Sequence, residues 1–293
     1  MAVPPQPQPP SRNRSGGRVR LGVDVGATLA KLAIARGEGR VEYRLAPAHA
    51  IERLALEVEG LAPDRIGLTG GGAPPLSQRL CLDTALVGEF EAWGAGSRAL
   101  LQEAGCASGE RHLLVSLGTG TSAMLVDGER VTRVGGTALG GGTLLGLGAA
   151  LTGVTDFDRL LALAGDGDRR RVDLLVSDIY RAGDLPLPGD LTAASFGKLA
   201  GPARGDPPAP RDLAHAIVGL VGENVGLICG ALAIATGVQR IVFGGTTLRG
   251  NPALVEILRG LCAGMGREAI FLRDGEFAGA LGALEIAARG ESP

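Results

Sequence analysis

The sequence predicts an α/β protein built as two lobes, and three observations carry this prediction. The chain has 293 residues, which is enough for one large or two medium domains with a substantial core. A unit of strand, glycine turn and strand occurs twice, at 18–35 and at 113–126, and segments with helical spacing alternate with further short strands. We therefore expect an N-terminal lobe at 18–110 and a C-terminal lobe at 111–293, preceded by a disordered, proline-rich tail at 1–17.

The first hairpin carries charge at its turn. The strand 18–25 ends at Gly26-Ala27-Thr28, and a second apolar strand follows at 29–35. Asp24 lies inside an otherwise apolar strand, where an unpaired carboxylate is costly to bury, and Lys31 is one of only two lysines in a chain rich in arginine. A carboxylate that can hold Mg²⁺ through water, beside a threonine and a lysine that can touch phosphate oxygens, predicts a phosphate site. A surface hairpin remains the alternative.

The second hairpin is followed by another glycine cluster. A strand at 113–115 turns through Gly118-Thr119-Gly120-Thr121-Ser122 into a strand at 123–126, and the dipeptide Asp127-Gly128 predicts a further strand. The sequence Gly140-Gly141-Gly142-Thr143 then precedes a helix, where backbone N–H groups without shielding side chains can approach an anion. Because the chain contains 49 glycines, ordinary turns remain the alternative for any single cluster.

The remaining segments extend the α/β pattern. A strand at 65–68 ends in Thr69-Gly70-Gly71-Gly72, and a strand at 240–243 ends in Gly244-Gly245-Thr246-Thr247. Ligands collect at the carboxyl ends of strands in open α/β sheets, so both turns are candidate parts of a site. The predicted helices are 50–61, 85–104, 144–164 with a cap-like break at 156–158, 169–179, 211–236, 252–265 and a small-residue helix around 277–284, and a proline-rich loop is predicted at 201–210.

Composition argues against several classes of protein. The net charge is −2, 3% of residues are aromatic and no basic cluster occurs, so nucleic-acid binding is not expected. The four cysteines show no C-x-x-C spacing, which predicts neither a zinc site nor a disulfide framework. The apolar run 213–235 contains Glu223 and Asn224 and is expected to be a core helix rather than a membrane span. The start of the chain does not resemble a signal peptide, so we expect a cytoplasmic protein.

The order of these motifs resembles the actin, hexokinase and Hsp70 superfamily. Within it, the stretches 115–153, 172–180 (VDLLVSDIY) and 188–198 (PGDLTAASFGK) are similar to type II pantothenate kinase, and the resemblance extends over 21–288. It implies a two-lobed actin-like ATPase fold of the ribonuclease H type, with the nucleotide in the interlobe cleft. It also implies phosphorylation of the primary hydroxyl of pantothenate to 4'-phosphopantothenate, with ATP and Mg²⁺, in the first committed step of coenzyme A biosynthesis.

The same resemblance implies roles for individual residues. Glu89 matches the catalytic glutamate, the general base for the attacking hydroxyl. Asp24 would hold Mg²⁺ through water, and Lys31 would place its charge on the phosphates. Ser122 and Arg133 would bind pantothenate. The remaining ATP-binding residues would be Val25, Gly26, Ala27, Thr28, Leu29, Ala30, Thr119, Gly141, Gly142, Thr143, Leu144, Leu145, Phe157 on the adenine, and Thr246 on the adenosine.

Two positions depart from the family pattern. Ala27 stands where glycine is usual, which the loop tolerates only if φ at this position is not positive. Phe157 stands where tyrosine is frequent, which keeps the stacking surface and removes a hydroxyl.

Two other functions stay open at this point. One is a sugar or amino-sugar kinase of the same superfamily, which usually works with an aspartate base and often has a cysteine and histidine zinc site. The other is a catalytically silent nucleotide-binding or acyl-CoA-binding relative. The resemblance further implies regulation by coenzyme A or an acyl-CoA and a homodimer, which we place on the helix at 85–104 because Trp93 would otherwise be an exposed aromatic residue.

Overall fold

The computed structural model describes residues 18–37, 39–107, 109–181, 183–184, 189–200 and 207–290. The predicted tail at 1–17 and most of the predicted loop at 201–210 lie outside these ranges. The strands are β1 (Val19–Val25), β2 (Leu29–Arg36), β3 (Glu42–Pro47), β4 (Arg65–Thr69), β5 (Ala85–Leu86), β6 (His112–Leu117), β7 (Thr121–Asp127), β8 (Arg130–Thr137), β9 (Leu174–Leu175), β10 (Thr192–Ala194), β11 (Arg240–Gly244) and β12 (Glu268–Phe271).

Two five-stranded sheets are built on the same plan. The first has the order β3-β2-β1-β4-β5 and the second β8-β7-β6-β11-β12. In each sheet, three consecutive strands are antiparallel, and two later strands add in parallel beside the first of the three. The repeated plan confirms the predicted α/β fold with two lobes. Where the predicted lobes divide, at 110 and 111, stays a prediction.

Helices cover the faces of both sheets. They are α1 (Ile51–Gly60), α2 (Ala73–Arg79), α3 (Glu89–Glu103), α4 (Gly141–Thr152), α5 (Phe157–Gly165), α6 (Val176–Ile179), α7 (Pro210–Ala235), α8 (Pro252–Gly264) and α9 (Ala278–Arg289). The predicted break near residue 156 is where α4 and α5 separate, and the Asp156 side chain caps α5 by accepting a hydrogen bond from Arg159 N at 2.9 Å.

Helices α3 and α9 lie between the two sheets. Helix α9 packs on β1 and β4 of the first sheet, where Gly22 and Gly67 are neighbours and a Cβ on either would collide with backbone carbonyls of α9. The contact between α3 and α9 is equally close, because a Cβ on Gly96 or on Gly282 would collide with the backbone of the other helix. A helix from the predicted second lobe therefore covers the sheet of the first.

Helix α7 is the predicted core helix of the second lobe. By length and composition alone it could cross a membrane, but 56% of its most apolar stretch is buried inside the protein. Gly222 and Gly226 lie against Ile257 and Leu261, so the small residues of α7 let α8 approach closely.

The predicted helix at 169–179 is wrong. This segment forms a short 3₁₀ turn, then β9 and the single-turn α6. Aspartate side chains bond the backbone instead: Asp168 accepts from Arg170 N, Asp173 from Phe196 N at 2.9 Å, and Asp178 from Leu175 N at 2.8 Å. Side-chain bonds of this kind to the backbone compete with a helix, and the apolar spacing could not reveal them.

Candidate active site

A cleft of about 860 Å³ lies where the two sheets meet. Its walls are the β1–β2 loop, the β6–β7 loop, the first turns of α3, α4 and α5, and the turn after β11. The predicted site residues that line it are Asp24, Gly26, Ala27, Thr28, Leu29, Lys31, Glu89, Thr119, Ser122, Arg133, Gly141, Gly142, Leu145, Phe157 and Thr246.

Four predicted site residues have side chains that do not face the cleft. Val25, Ala30 and Leu144 are buried in the two cores and are not among the residues that line the cleft. The Thr143 hydroxyl is used within the protein, since it accepts from Gly140 N at 3.3 Å and donates to a carbonyl of the preceding turn.

Asp24 is a buried carboxylate at the end of β1. It is 4% exposed, and Lys31 Nζ donates to its Oδ2 at 3.5 Å. Burial raises the pKa of Asp24 above its ordinary value, and the charge of Lys31 opposes that shift. Gly70 and Gly279 leave room for the carboxylate, because a Cβ on the first would lie 2.6 Å from Oδ1 and on the second 2.8 Å from Oδ2.

This carboxylate fits the requirements of Mg²⁺. Proteins usually bind Mg²⁺ in phosphate sites through one or two carboxylates, with water and substrate oxygens completing the octahedron. Within the described residues, no group of three or more histidine, cysteine, aspartate or glutamate side chains could hold a metal ion without such help. A single carboxylate at a cleft that can accept phosphates is what a cation that enters with a nucleotide requires from the protein. Asp24 meets this requirement.

Glu89 is the first residue of α3 and faces the cleft from its rim. Its partial burial raises its pKa above the ordinary value, the charge of Asp24 raises it further, and Lys31 lowers it. A carboxylate with a raised pKa is a stronger base, which suits general-base work.

The two hairpin loops meet across the cleft. Thr28 Oγ1 and Thr119 Oγ1 are 3.1 Å apart, so one hydroxyl from each lobe faces the same point. Ala27 has a negative φ, as all described residues with positive φ other than glycine lie elsewhere. The condition that the sequence placed on Ala27 is therefore met.

The start of α4 is bonded to the second loop. Gly141 N donates to Gly118 O at 2.8 Å and Gly142 N to Thr119 O at 2.9 Å, while Thr247 Oγ1 also donates to Gly118 O. Our expectation that these two glycines offer free N–H groups to an anion is wrong. Their lack of a side chain instead lets α4 lie against the loop, which fixes the loop's shape.

Ser122 and Arg133 come together on the second sheet. Ser122 pairs with Gly136 across β7 and β8, and a register shift between Ala123 and Met124 sets the position of Arg133. A Cβ on Gly136 would lie 3.0 Å from Arg133 Nη2 and 3.3 Å from Ser122 Cα. Within the described residues the Arg133 side chain makes no hydrogen bond or ion pair, so its guanidinium is available for an anionic ligand.

Helix α5 and the turn after β11 also form part of the cleft wall. Phe157 and Thr246 line the cleft, and Arg249 is a second lining arginine that the sequence did not single out. The turn requires a glycine at 245, because φ is +114° and a Cβ would collide with the Leu117 backbone.

Trp93 was also missed as a site residue. It lines the cleft one helical turn after Glu89 and is 4% exposed. Our placement of a dimer contact on this residue is wrong, because the Trp93 side chain is buried in a core that α9 and the second sheet share. Trp93 and Glu89 are four residues apart, so helical spacing places them on one face of α3. The spacing cannot show that other elements of the protein pack on that face.

The two sheets of the same plan, with a large cleft where they meet, define an actin-like ATPase-fold protein. Component A of (R)-2-hydroxyglutaryl-CoA dehydratase from Acidaminococcus fermentans superposes with a TM-score of 0.61 at 16% identity, over 94% of this chain and 99% of that one. A ROK family glucokinase from Streptomyces griseus, in complex with glucose and AMPPNP, gives 0.60 at 13% identity, over 93% of this chain and 100% of that one. At these identities the likeness shows the fold alone.

Sequence comparison identifies the family. The family model described as Fumble matches residues 110–285. Type II pantothenate kinase from Staphylococcus haemolyticus (strain JCSC1435) is 34% identical over 268 residues, covering 92% of this chain and 100% of the relative. The enzyme of the same name from Staphylococcus aureus (strain NCTC 8325 / PS 47) is 32% identical, covering 92% and 99%. The chain belongs to the type II pantothenate kinase family.

Proposed function

We propose that this protein transfers the terminal phosphoryl group of ATP to the primary hydroxyl of pantothenate, giving 4'-phosphopantothenate for coenzyme A biosynthesis. One observation supports this above the others: a single cleft brings Glu89 and the Asp24–Lys31 pair together with Ser122 and the unpaired Arg133. An acceptor with a hydroxyl at one end and a carboxylate at the other matches a base and an arginine in the same cleft.

The charged groups divide the reaction between them. Lys31, with the hydroxyls of Thr28 and Thr119, binds the phosphates, and Asp24 holds the cation through water. When bound, Mg²⁺ neutralises phosphate charge that the protein's single nearby lysine cannot balance alone. Glu89 accepts the proton of the attacking hydroxyl at its carboxylate oxygen.

The other residues hold the two substrates in place. Arg133 binds the pantothenate carboxylate, and Ser122 holds the chain of the acceptor. Phe157 and Thr246 enclose the adenosine. This placement of the nucleotide aligns its terminal phosphate with the acceptor hydroxyl.

A coupled assay of ADP release tests the acceptor. Purified protein with ATP and Mg²⁺ is offered pantothenate, glucose, N-acetylglucosamine or no acceptor. We expect turnover with pantothenate well above the rate without acceptor. Turnover with a sugar alone would assign the protein to the sugar kinases of this fold, and ADP binding without any turnover would make it a silent relative.

We infer that the protein forms a homodimer through α7. Leu227 and Ile234 lie seven residues apart on one side of this helix and are each 53% exposed. A face that meets its own copy about a two-fold axis would bury both residues on both chains. Sedimentation velocity is expected to give a dimer for the wild type and a monomer for Leu227→Glu. A monomeric wild type would contradict the inference.

Regulation and location complete the proposal. Coenzyme A or an acyl-CoA is proposed to compete in the cleft, which is large enough to hold more than one small ligand. Inhibition that is relieved by raising ATP would support this, and unchanged rates with acetyl-CoA would contradict it. We place the enzyme in the cytoplasm, where ATP is available.

A further inference from the structure

Trp93 forms part of the floor of the cleft beside Asp24. It follows Glu89 by one helical turn on α3, is 4% exposed, and still lines the cleft. A Cβ on Gly279, the second residue of α9, would lie 3.0 Å from Trp93 Nε1 and 2.8 Å from Asp24 Oδ2. The indole nitrogen and the carboxylate oxygen therefore both lie close to Gly279.

The indole N–H has no acceptor in the protein. Among the residues that the structure describes, none accepts a hydrogen bond from the indole nitrogen of Trp93. The Oδ2 atom of Asp24 has only the long contact with Lys31 Nζ at 3.5 Å. An indole nitrogen can only donate, whereas an ionised carboxylate can only accept. Because Trp93 Nε1 is not fully enclosed by protein, it reaches the cleft, and a group that bridges it to the carboxylate must both accept and donate.

Water is the smallest molecule that meets this requirement. A water molecule can accept from the indole N–H, donate to Asp24 Oδ2 and keep a lone pair directed into the cleft. That lone pair is what a divalent cation held through water needs from the protein side.

We propose that Trp93 is a positioning residue, which together with Asp24 holds the water through which the protein binds the cation of the nucleotide. The proposal rests on the nucleotide-binding part of the proposed function and not on the identity of the acceptor.

Calorimetric titration with ADP, with and without Mg²⁺, tests the proposal without any acceptor. Trp93→Phe keeps the aromatic packing and removes the N–H. We expect the strengthening of ADP binding by Mg²⁺ to fall about tenfold in Trp93→Phe, with ADP affinity in the absence of Mg²⁺ unchanged, because one hydrogen bond to the held water is lost.

Fluorescence gives a second measurement on the unmodified protein. Trp93 is the only tryptophan of the chain, so all tryptophan emission comes from the cleft. ADP with Mg²⁺ is expected to change this emission more than ADP alone. Equal changes would contradict a contact between Trp93 and the water of the cation.

Phe277→Leu is the matched control. Phe277 is buried and stacks on Tyr43 with ring centroids 4.7 Å apart, in the region where α9 begins, but it does not line the cleft. We expect a lower melting temperature and the wild-type response to Mg²⁺.

If Trp93→Phe also keeps the wild-type response, Trp93 only packs the core and the proposal is overturned. A Trp93-dependent response in a protein that does not phosphorylate pantothenate would uphold the proposal while removing the proposed acceptor.

Discussion

The hairpins β1–β2 and β6–β7 have the same position in their sheets, but one carries a charged pair of residues and the other a neutral pair. In each, the residue two places before the loop glycine pairs across the hairpin with a residue of the next strand. Asp24 is opposite Lys31 in the first hairpin, and Ser116 is opposite Ser122 in the second. The repeated fold thus supplies two similar loops. The pair of residues beside each loop determines whether it presents charged groups, as in the first hairpin, or hydroxyl groups, as in the second.

The packing behind the hairpins differs as well. Gly22 lies beside Gly67 in the first sheet, whereas the corresponding neighbours in the second sheet are Leu114 and Val242. The first sheet therefore takes the backbone of α9 directly, while the second meets the helices through large side chains. Close packing of α9 also brings Gly279 and Trp93 next to the charged pair.

The largest predicted effect is at the residue that faces both hairpins. Glu89→Gln should reduce kcat roughly 10²- to 10⁴-fold because the general base is lost. ADP affinity, measured by calorimetry, should remain near that of the wild type. Normal turnover in this variant would show that another group removes the proton.

Next in size is the contrast between the hairpins themselves. Asp24→Asn should lower kcat/KM about 100-fold, because the amide cannot balance the cation's charge. Ser116→Ala, at the corresponding position of the second hairpin, should change it by no more than about threefold, as expected for one neutral hydroxyl. Similar losses of kcat/KM in both variants would show that the charged and the neutral loop do not differ in their contribution to catalysis.

A smaller and selective effect is predicted for Arg133. Arg133→Ala should raise the KM for pantothenate by about 10-fold or more, since it removes a charged hydrogen bond. The KM for ATP should change by less than about twofold because the proposed phosphate ligands are Lys31, Thr28 and Thr119 and do not include Arg133. Steady-state kinetics with each substrate varied in turn distinguishes these outcomes, and equal changes would mean that Arg133 does not select the acceptor.

The smallest effect is a displacement of the pH profile. Glu89 must be ionised to accept a proton, so activity rises with pH through its pKa, and the raised pKa places this acid limb above the ordinary value of 4.5. The charge of Asp24 contributes to that rise, and Asp24→Asn should therefore move the limb of the residual activity to lower pH. A limb that stays in place would show that the two carboxylates are not coupled.

The sequence predicted what depends on neighbouring residues. Both hairpins, the glycine turns and α7 follow from local patterns, and Asp24 stood out because a lone carboxylate in an apolar strand is costly. The fold class was predictable because both hairpins repeat one pattern.

Long-range contacts were beyond local patterns. Burial of Trp93 requires α9, which lies about two hundred residues further along the chain and covers the face that the helical spacing left open. The meeting of Ser122 with Arg133 depends on a register shift between β7 and β8 that no residue type marks. The amides of Gly141 and Gly142 find carbonyls in a loop more than twenty residues earlier, so they could not be recognised as occupied.

The position of α9 also determines the order in which the protein can fold. During synthesis, β1 and β4 leave the ribosome long before residues 278–289 exist, so the face of the first sheet around Gly22 and Gly67 stays uncovered until the chain has grown past α9. Contacts between such distant segments are formed slowly, because a long loop must close first. The charged hairpin, on which the proposed chemistry depends most, thus belongs to the sheet whose strands are made first and whose α9 face is covered last.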